Sequence, residues 1–486
     1  MMRLYSTFDA TFIRGITSPG ASWTPASPRF AAPPLRLPLR LSLDIKMPSP
    51  KPIAGDVMVW GDNTCMVLGL TTRATGRKRP IPLALLDKTT PSGYRRILPK
   101  CTVAVASGVH SVAVSEDGHL WTWGVNDEGQ LGRPIPEDDD EAPAVPGKVT
   151  IPGADPDAVV VGAATTDAAT FALLSDGSVH GCGVFKDDHE IGFSRDNKRR
   201  QHGMARVDVP SPIAAVAAGN THLVMLTDPA PSRGAGAGGK SSAKATVLTA
   251  GAGAQGQLGR VGPRVGPRRD ADVLLGAAPV RLPRGAGRPI AVFAGGWHTF
   301  ALTDADKVVA WGLNNWGQLG LPVGDGGARF VPTVVPELSG AGVVDIACGE
   351  HHTVALTSRG EVFTFGRAAY GRLGRPAGVP LEMGDAAAAT PARVSFPASA
   401  GKMASVAAGM KESAAVDERG TMFLWGSGSG NMQGRGDDED DVRAPEAVPE
   451  KEAYAHWRPK TQTIRSVSIG AQHVMALATP GHDGEW

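Results

Sequence analysis

The chain reads as an all-β protein whose strands form seven repeated units closed into a ring, a seven-bladed β-propeller. Three observations predict it. Two short motifs each recur seven times at a spacing near 60 residues, the stretches between them look like short strands, and the phase of the repeat leaves half a unit at either end.

The first motif is an aromatic or small residue, a Gly, a few polar residues and Gly-Gln-Leu-Gly or a variant. It begins at Gly61, Gly124, Gly183, Gly251, Gly312, Gly366 and Gly426, so successive copies lie 54 to 68 residues apart. The clearest copies read WGVNDEGQLGR, GAGAQGQLGR, WGLNNWGQLGL and FGRAAYGRLGR. The second motif is Gly-x-x-His followed by alternating small and apolar residues. It occurs around His110, His222, His298, His351/His352 and His473, with weaker copies through Asp167–Leu174 and Met410–Val416.

Between the motifs, HLWTWG, VVAWG, EVFTFG and TMFLWG bring β-branched and aromatic residues up to a Gly, and EDGHL or SRGEV supplies a preceding hairpin turn. About four short strands per unit suit a propeller blade. The chain opens on a Trp-Gly half-unit (VMVWG) and ends on a His half-unit (HVMALA). The two halves complete each other only if the terminal strands share one blade, which also hides the sheet edges that an open array would leave.

Composition agrees. The chain holds 62 Gly and 39 Pro in 486 residues, where ordinary usage gives about 34 and 24. In a chain of ordinary apolar content this excess is turn chemistry. Length alone would suggest about three domains; the repeat replaces them with one ring over 53–480. The expected flanks are a Pro-, Ser- and Arg-rich disordered tail over 1–52 and a short tail over 481–486. Arg233–Lys244 reads as a flexible loop inserted within a blade.

The net charge is +1, so no global field draws the protein to nucleic acid or membrane. Residues 1–46 carry a net +4 and the rest −3, a mildly basic arm on a faintly acidic body. The Arg- and Ser-rich start also fits a mitochondrial transit peptide, the alternative to a plain tail. Four scattered cysteines give neither a disulfide framework nor a zinc site and suit a reducing compartment. No stretch nears 18 apolar residues, so no transmembrane helix is expected, and the first twenty residues lack the apolar run of a secretory signal.

Neither motif implies a cofactor or metal. Gly-Gln-Leu-Gly lies among strands and lacks the helix N-terminus that phosphate binding uses, so its glycines read as turn formers and its Leu as packing. The repeat histidines come one per blade, too far apart to share a metal, and read as donors of structural hydrogen bonds to neighbouring turns. Departures from the repeat are more informative. The second unit, TTDAATFALLSDGSVHGCGVFKDDHEIG, puts Ala169 in the place of the His and Gly181 in that of the Trp. It also replaces the Asn-x-x-Gly-Gln-Leu stretch with Phe185–Ile191 (Phe185, Lys186, Asp187, Asp188, His189, Glu190, Ile191). So charged a loop is expected to project. The acid runs Glu137–Glu141 and Asp437–Asp441 and the basic clusters Arg77–Arg79 and Lys198–Arg200 read as solvated loop charges.

These residues resemble the regulator of chromosome condensation family, seven-bladed propellers that exchange the nucleotide of the small GTPase Ran. WGVNDEGQLGR followed by VPGKV, AAGNTHLVMLTD, GAGAQGQLGRV, GRAAYGRLG and the late GDDEDD insertion are similar to the family blade by blade, over nearly all of Val57–Ala478. The resemblance implies a guanine nucleotide exchange factor without covalent chemistry, a monomer in the nucleus, bound to Ran in its GDP-bound and nucleotide-free states and in contact with chromatin, with no membrane partner. Carried over residue by residue, it makes Asp167 and His351 the functional pair and Phe185–Ile191 the wedge that pushes beside the phosphate-binding loop of the GTPase. It makes Arg260 and Asn315 partner contacts. Thr221 stands where the family has a second functional acid, and the wedge lacks the family's glycine. Residues 1–46 do not match the family's Lys-rich nuclear signal and chromatin-binding arm. The rival expectation is a propeller that serves as a scaffold for other proteins without exchange.

Overall fold

A computed structural model describes residues 54–71, 76–86, 94–186, 192–193, 199–228, 244–264, 271–375, 387–436, 439–448 and 462–480. The two predicted tails and most of the Arg233–Lys244 loop lie outside them.

Seven four-stranded antiparallel sheets follow one another along the chain. Blade 1 runs from Cys101–Ala106 to Gly147–Lys148, blade 2 from Val160–Thr165 to Gln201–Arg206, and blade 3 from Ile213–Ala218 to Ala278–Pro279. Blade 4 runs from Pro289–Ala294 to Ala328–Val334, blade 5 from Val343–Cys348 to Ala387–Arg393, and blade 6 from Met403–Ala408 to Val442–Ala447. Blade 7 closes the ring. Its strand order is Gln462–Ile469, His473–Pro480, Asp56–Gly61, Arg77–Pro82, and Gly61 pairs with His473 at one end of the closing ladder while Asp56 pairs with Ala478 at the other. The half-units at the two ends of the sequence therefore complete each other, as their phase predicts.

The core lies between the blades. Because successive side chains of a strand point to opposite faces, each strand serves two neighbours: Val57 and Val59 pack with Trp123 of blade 1, while Met58 and Trp60 pack with Leu424 and Met432 of blade 6. Among the described residues the buried apolar side chains form seven clusters, one at each junction. The Gly of the Gly-Gln-Leu-Gly turn is needed for this approach. Gly317 has φ +76°, and a Cβ there would stand 2.4 Å from Ala389 Cα on the outer strand of the next blade.

A repeated polar relay fastens the same junctions. The repeat His opens the second strand of its blade, and its Nε2 meets the hydroxyl that follows the repeat position in the next blade. The pairs are His110–Thr170 (2.9 Å), His222–Thr299 (2.9 Å), His298–Thr353 (3.1 Å), His352–Ser413 (2.8 Å) and His473–Ser111 (2.7 Å). Each hydroxyl then donates to a backbone carbonyl in the Gly-Gln-Leu-Gly turn of the first blade: Gln130, Gln257, Gln318, Arg372 and Val67. A hydroxyl has one proton, and the carbonyl takes it, so Nε2 carries the imidazole proton. Trp123, Trp311 and Trp425 donate Nε1–H to three of the same carbonyls. The predicted structural role of the histidines is thus present, with a hydroxyl on the adjoining strand as partner in place of a turn.

The two junctions without a repeat His lack the hydroxyl as well. Ala169 of blade 2 is followed in blade 3 by Leu223, and Glu412 of blade 6 is followed in blade 7 by Val474, all four buried. The register also corrects one sequence assignment. Gly183 pairs with Ala169 as Gly312 pairs with His298, so the residue at the Trp position of blade 2 is Cys182, and Gly181 lies one step earlier. Cys182 Sγ lies 3.4 Å from the Gln130 carbonyl, the acceptor a Trp would use. The four cysteines are free.

Candidate functional site

In a four-stranded meander the turns after the first and third strands lie at the same end, so the Gly-x-x-His turns and the Gly-Gln-Leu-Gly turns of all blades share one face of the ring. Backbone hydrogen bonds tie the inner turns to one another around the axis: Asp167 N to Asn220 O (3.0 Å), Asn220 N to Gly296 O (3.1 Å), Gly296 N to Gly349 O (3.1 Å) and Glu350 N to Gly409 O (3.2 Å). Residues directly after the turn Gly, or its counterpart, therefore rim the mouth of the axial channel, and Asp167, Asn220 and Glu350 are three of them.

Asp167 is exposed at this rim. Protein packed around its carboxyl, with the Glu350 carboxylate adding to the effect, nonetheless pushes its pKa up to about 7. His351 follows Glu350, stacks on Trp297 at a centroid distance of 5.5 Å, and brings Nε2 to 3.9 Å from Glu350 Oε1. The tandem His351-His352 is resolved by the fold: His352 is the relay residue and His351 the surface one.

The turns outside this rim carry cations over aromatic rings. The Arg367 guanidinium lies 4.8 Å from the Trp316 ring, and Lys411 Nζ lies 4.9 Å from the Tyr370 ring, which is exposed and held at φ +64°. Arg372 replaces the Gln of the turn, is fully buried, and donates to the carbonyls of Ala369 (2.9 Å) and Met410 (3.0 Å). Burial raises the pKa of Glu350, while Arg372, Arg367 and Lys411 favour its charged form.

The Phe185–Ile191 stretch does not project from its first residue. Phe185 is buried and stacks with Phe171 (5.5 Å) and Phe193 (6.2 Å) at the junction of blades 2 and 3, filling space beside the absent relay. Its N–H donates to Gly192 O at 3.0 Å, so the two ends of the loop are pinched together. Lys186 Nζ lies 2.8 Å from Glu128 Oε1 of blade 1, whose other oxygen meets Arg200 Nε at 2.5 Å. Phe185 and Lys186 are the stem of the loop; Asp187, Asp188, His189, Glu190 and Ile191 lie outside the described residues. Arg200, expected as a solvated charge, is paired, whereas Glu137–Asp140 is exposed as expected.

Thr221 is buried, and its hydroxyl accepts a bond from Gln257 Nε2 at 3.3 Å. Asn315 is exposed on the same face, its Oδ1 accepting from Gln318 Nε2 at 3.0 Å. Arg260 is turned into its own blade, where its guanidinium donates to Thr249, Leu274 and Gly276; Arg133 and Arg375 follow the same turn in other blades and make equivalent bonds. Arg260 is a strut of blade 3. Sequence reasoning missed Glu350, Glu128, Trp297 and the cation–aromatic pairs. Comparing the residue after the Gly across all seven turns would have exposed Glu350. Among the described residues no group of three His, Cys, Asp or Glu is placed to hold a metal ion, and no helix is long and apolar enough to cross a membrane.

This geometry is shared with known proteins. The family model described as the RCC1-like domain matches residues 56–476. The regulator of chromosome condensation of Xenopus laevis is 31% identical over 438 residues, covering 88% of this chain and 91% of its own length. The guanine nucleotide exchange factor SRM1 of Saccharomyces cerevisiae is 30% identical over 437 residues, covering 82% and 84%. Among solved structures, Prp20p from Saccharomyces cerevisiae, described together with its binding to Gsp1p and histones, superposes with a TM-score of 0.73 at 27% identity over 88% of this chain and 92% of its own. With the repeat, the ring closure and the match over residues 56–476 in agreement, the chain belongs to the RCC1-like domain family.

Proposed function

We propose that this protein is a guanine nucleotide exchange factor for the small GTPase Ran. One observation carries the reading: Asp167, His351 and the pinched stem of the Phe185–Ile191 loop share one face of the ring. The whole propeller matches relatives that include a named exchange factor.

The mechanism needs no bond to form or break. A GTPase grips its nucleotide through a phosphate-cradling loop, a Lys and Mg²⁺. A protein that binds the empty GTPase more tightly than the loaded one weakens nucleotide binding by the same factor. Lowering the release barrier by ~7 kcal/mol speeds exchange about 10⁵-fold. In this reading the loop beyond Lys186 enters beside the phosphates, while Asp167 and His351 hold GTPase groups released from the nucleotide. Glu128, tying Lys186 and Arg200 to blade 1, keeps the stem in place for that thrust. Asn315 and the cation–aromatic pairs extend the docking face. The direction of exchange follows the cell's excess of GTP. We extend the reading to a monomer in the nucleus in contact with chromatin.

The buried, uncharged Thr221 favours a second reading, a propeller that binds partners without exchange. Release of fluorescent GDP from purified Ran separates the two. Exchange predicts acceleration by orders of magnitude, lost in Asp167→Ala and His351→Ala proteins that fold normally. Unchanged release in the presence of the folded wild-type protein leaves the scaffold.

A further inference from the structure

The position Thr221 leaves without charge is not the only place from which an acid can reach the channel mouth. Asp167 and Glu350 occupy the same position in their turns, and the ring of backbone hydrogen bonds holds both at the rim. Each leans over a glycine of the preceding blade. A Cβ on Gly108 would come within 3.2 Å of Asp167 Oδ1, and one on Gly296 within 3.4 Å of Glu350 Cγ and 3.2 Å of its Cα. The room for each carboxylate is thus provided by its neighbour. Thr221 is instead buried, and its hydroxyl is taken by Gln257 Nε2.

Their surroundings differ. Asp167 stands at an exposed site. Glu350 keeps 20% of its side chain in contact with solvent and is bordered by His351, Arg372, Arg367 and Lys411. Arg372, Arg367 and Lys411 favour the charged carboxylate against the burial that opposes it, and Arg372 is itself fixed by two carbonyls. A carboxylate held at the rim next to His351, with part of its side chain open to solvent, is placed to recognise a cationic group on a partner.

Resting on the exchange-factor reading, we propose that Glu350 is a further specificity-determining residue of this protein: a second GTPase-contacting carboxylate, supplied from blade 5, that acts with Asp167 on cationic groups of the nucleotide-free GTPase. The charge missing at Thr221 is thereby provided from the far side of the rim.

The test uses the full chain and Ran. Glu350→Gln keeps the volume of the side chain and one carbonyl acceptor while removing its charge. It is expected to slow GDP release tenfold or more and to weaken binding to nucleotide-free Ran by a similar factor, with an unchanged thermal unfolding midpoint. Glu350→Asp is expected to recover most of the rate, which a merely space-filling role would not give. Wild-type exchange by Glu350→Gln beside a defective Asp167→Asn overturns the role of Glu350 and leaves the exchange reading intact. Absence of exchange by the wild-type protein overturns both.

Discussion

His222 of blade 3 and Thr299 of blade 4 lie 2.9 Å apart, and the same hydroxyl donates to the carbonyl of Gln257, also at 2.9 Å. Two blades are joined through a three-membered chain whose ends both belong to blade 3. Where the first member is missing, as at Ala169, the second is missing too, as at Leu223. Among the seven junctions the relay is either whole or absent; a His without the hydroxyl would leave a buried N–H donor with no acceptor.

That coupling is measurable. His222→Ala should cost ~2–3 kcal/mol, emptying a buried site and removing the donor to the Thr299 hydroxyl, and Thr299→Val ~1–3 kcal/mol, stranding the buried Nε2–H of His222. The double variant should be less destabilised than the sum of the two by ~1 kcal/mol or more. Urea denaturation of the four proteins gives the cycle, and strict additivity would count against the relay as a unit.

The relay histidines also make stability depend on pH. Burial lowers the pKa of His110, His222, His298 and His473 to about 3 and that of His352 well below its ordinary value. In the unfolded chain these groups take up protons near pH 6.5, which the fold refuses. Their contribution is complete above about pH 6.5 and is lost as pH falls toward 3. Burial raises the pKa of Glu412 to about 7, which acts in the opposite sense. The clean comparison is therefore a single exchange. His298→Gln should make stability fall less steeply between pH 6 and 4 than in the wild type, by about one proton, or ~1.4 kcal/mol per pH unit. Parallel slopes in denaturation series across that range would refute the assignment.

At the stem of the wedge, Phe185→Ala removes one ring of a stacked trio and should destabilise the protein by ~3–4 kcal/mol. Glu128→Ala frees Lys186 and Arg200; Lys186 is 40% exposed and Arg200 46%, so global stability should move little. Amide hydrogen exchange at Phe185, whose N–H closes the loop onto Gly192, should nonetheless quicken, and GDP release should slow. A Glu128→Ala protein with unaltered Phe185 protection would remove the stem role.

Asp167 gives exchange a pH dependence of its own. Its raised pKa, about 7, means that the carboxylate is incompletely formed at neutral pH. If the charged form grips the GTPase, stimulated release should rise between pH 6 and 8, and Asp167→Asn should be slow and flat over that interval. A rise that persists in Asp167→Asn assigns the titration to another group.

The propeller was legible in the chain because its evidence is local. Trp-Gly stops, Gly-x-x-His turns and their recurrence near 60 residues can be counted without knowing what any strand touches, and the unmatched halves VMVWG and HVMALA demand closure by topology alone. The face was legible to the extent that resemblance pointed to Asp167, His351 and the Phe185–Ile191 loop. The rest depended on contacts between positions about one blade apart in sequence, or 362 residues apart where His473 meets Ser111 across the closure. Only pairing register puts Cys182 in the place of a Trp, and only packing turns Phe185 inward and Arg260 back into its blade. Glu350 reaches the same rim as Asp167 because a ring of seven turns brings every first turn residue to one axis. Periodicity announces that such a ring exists; which side chains meet at its centre is decided when the ring closes.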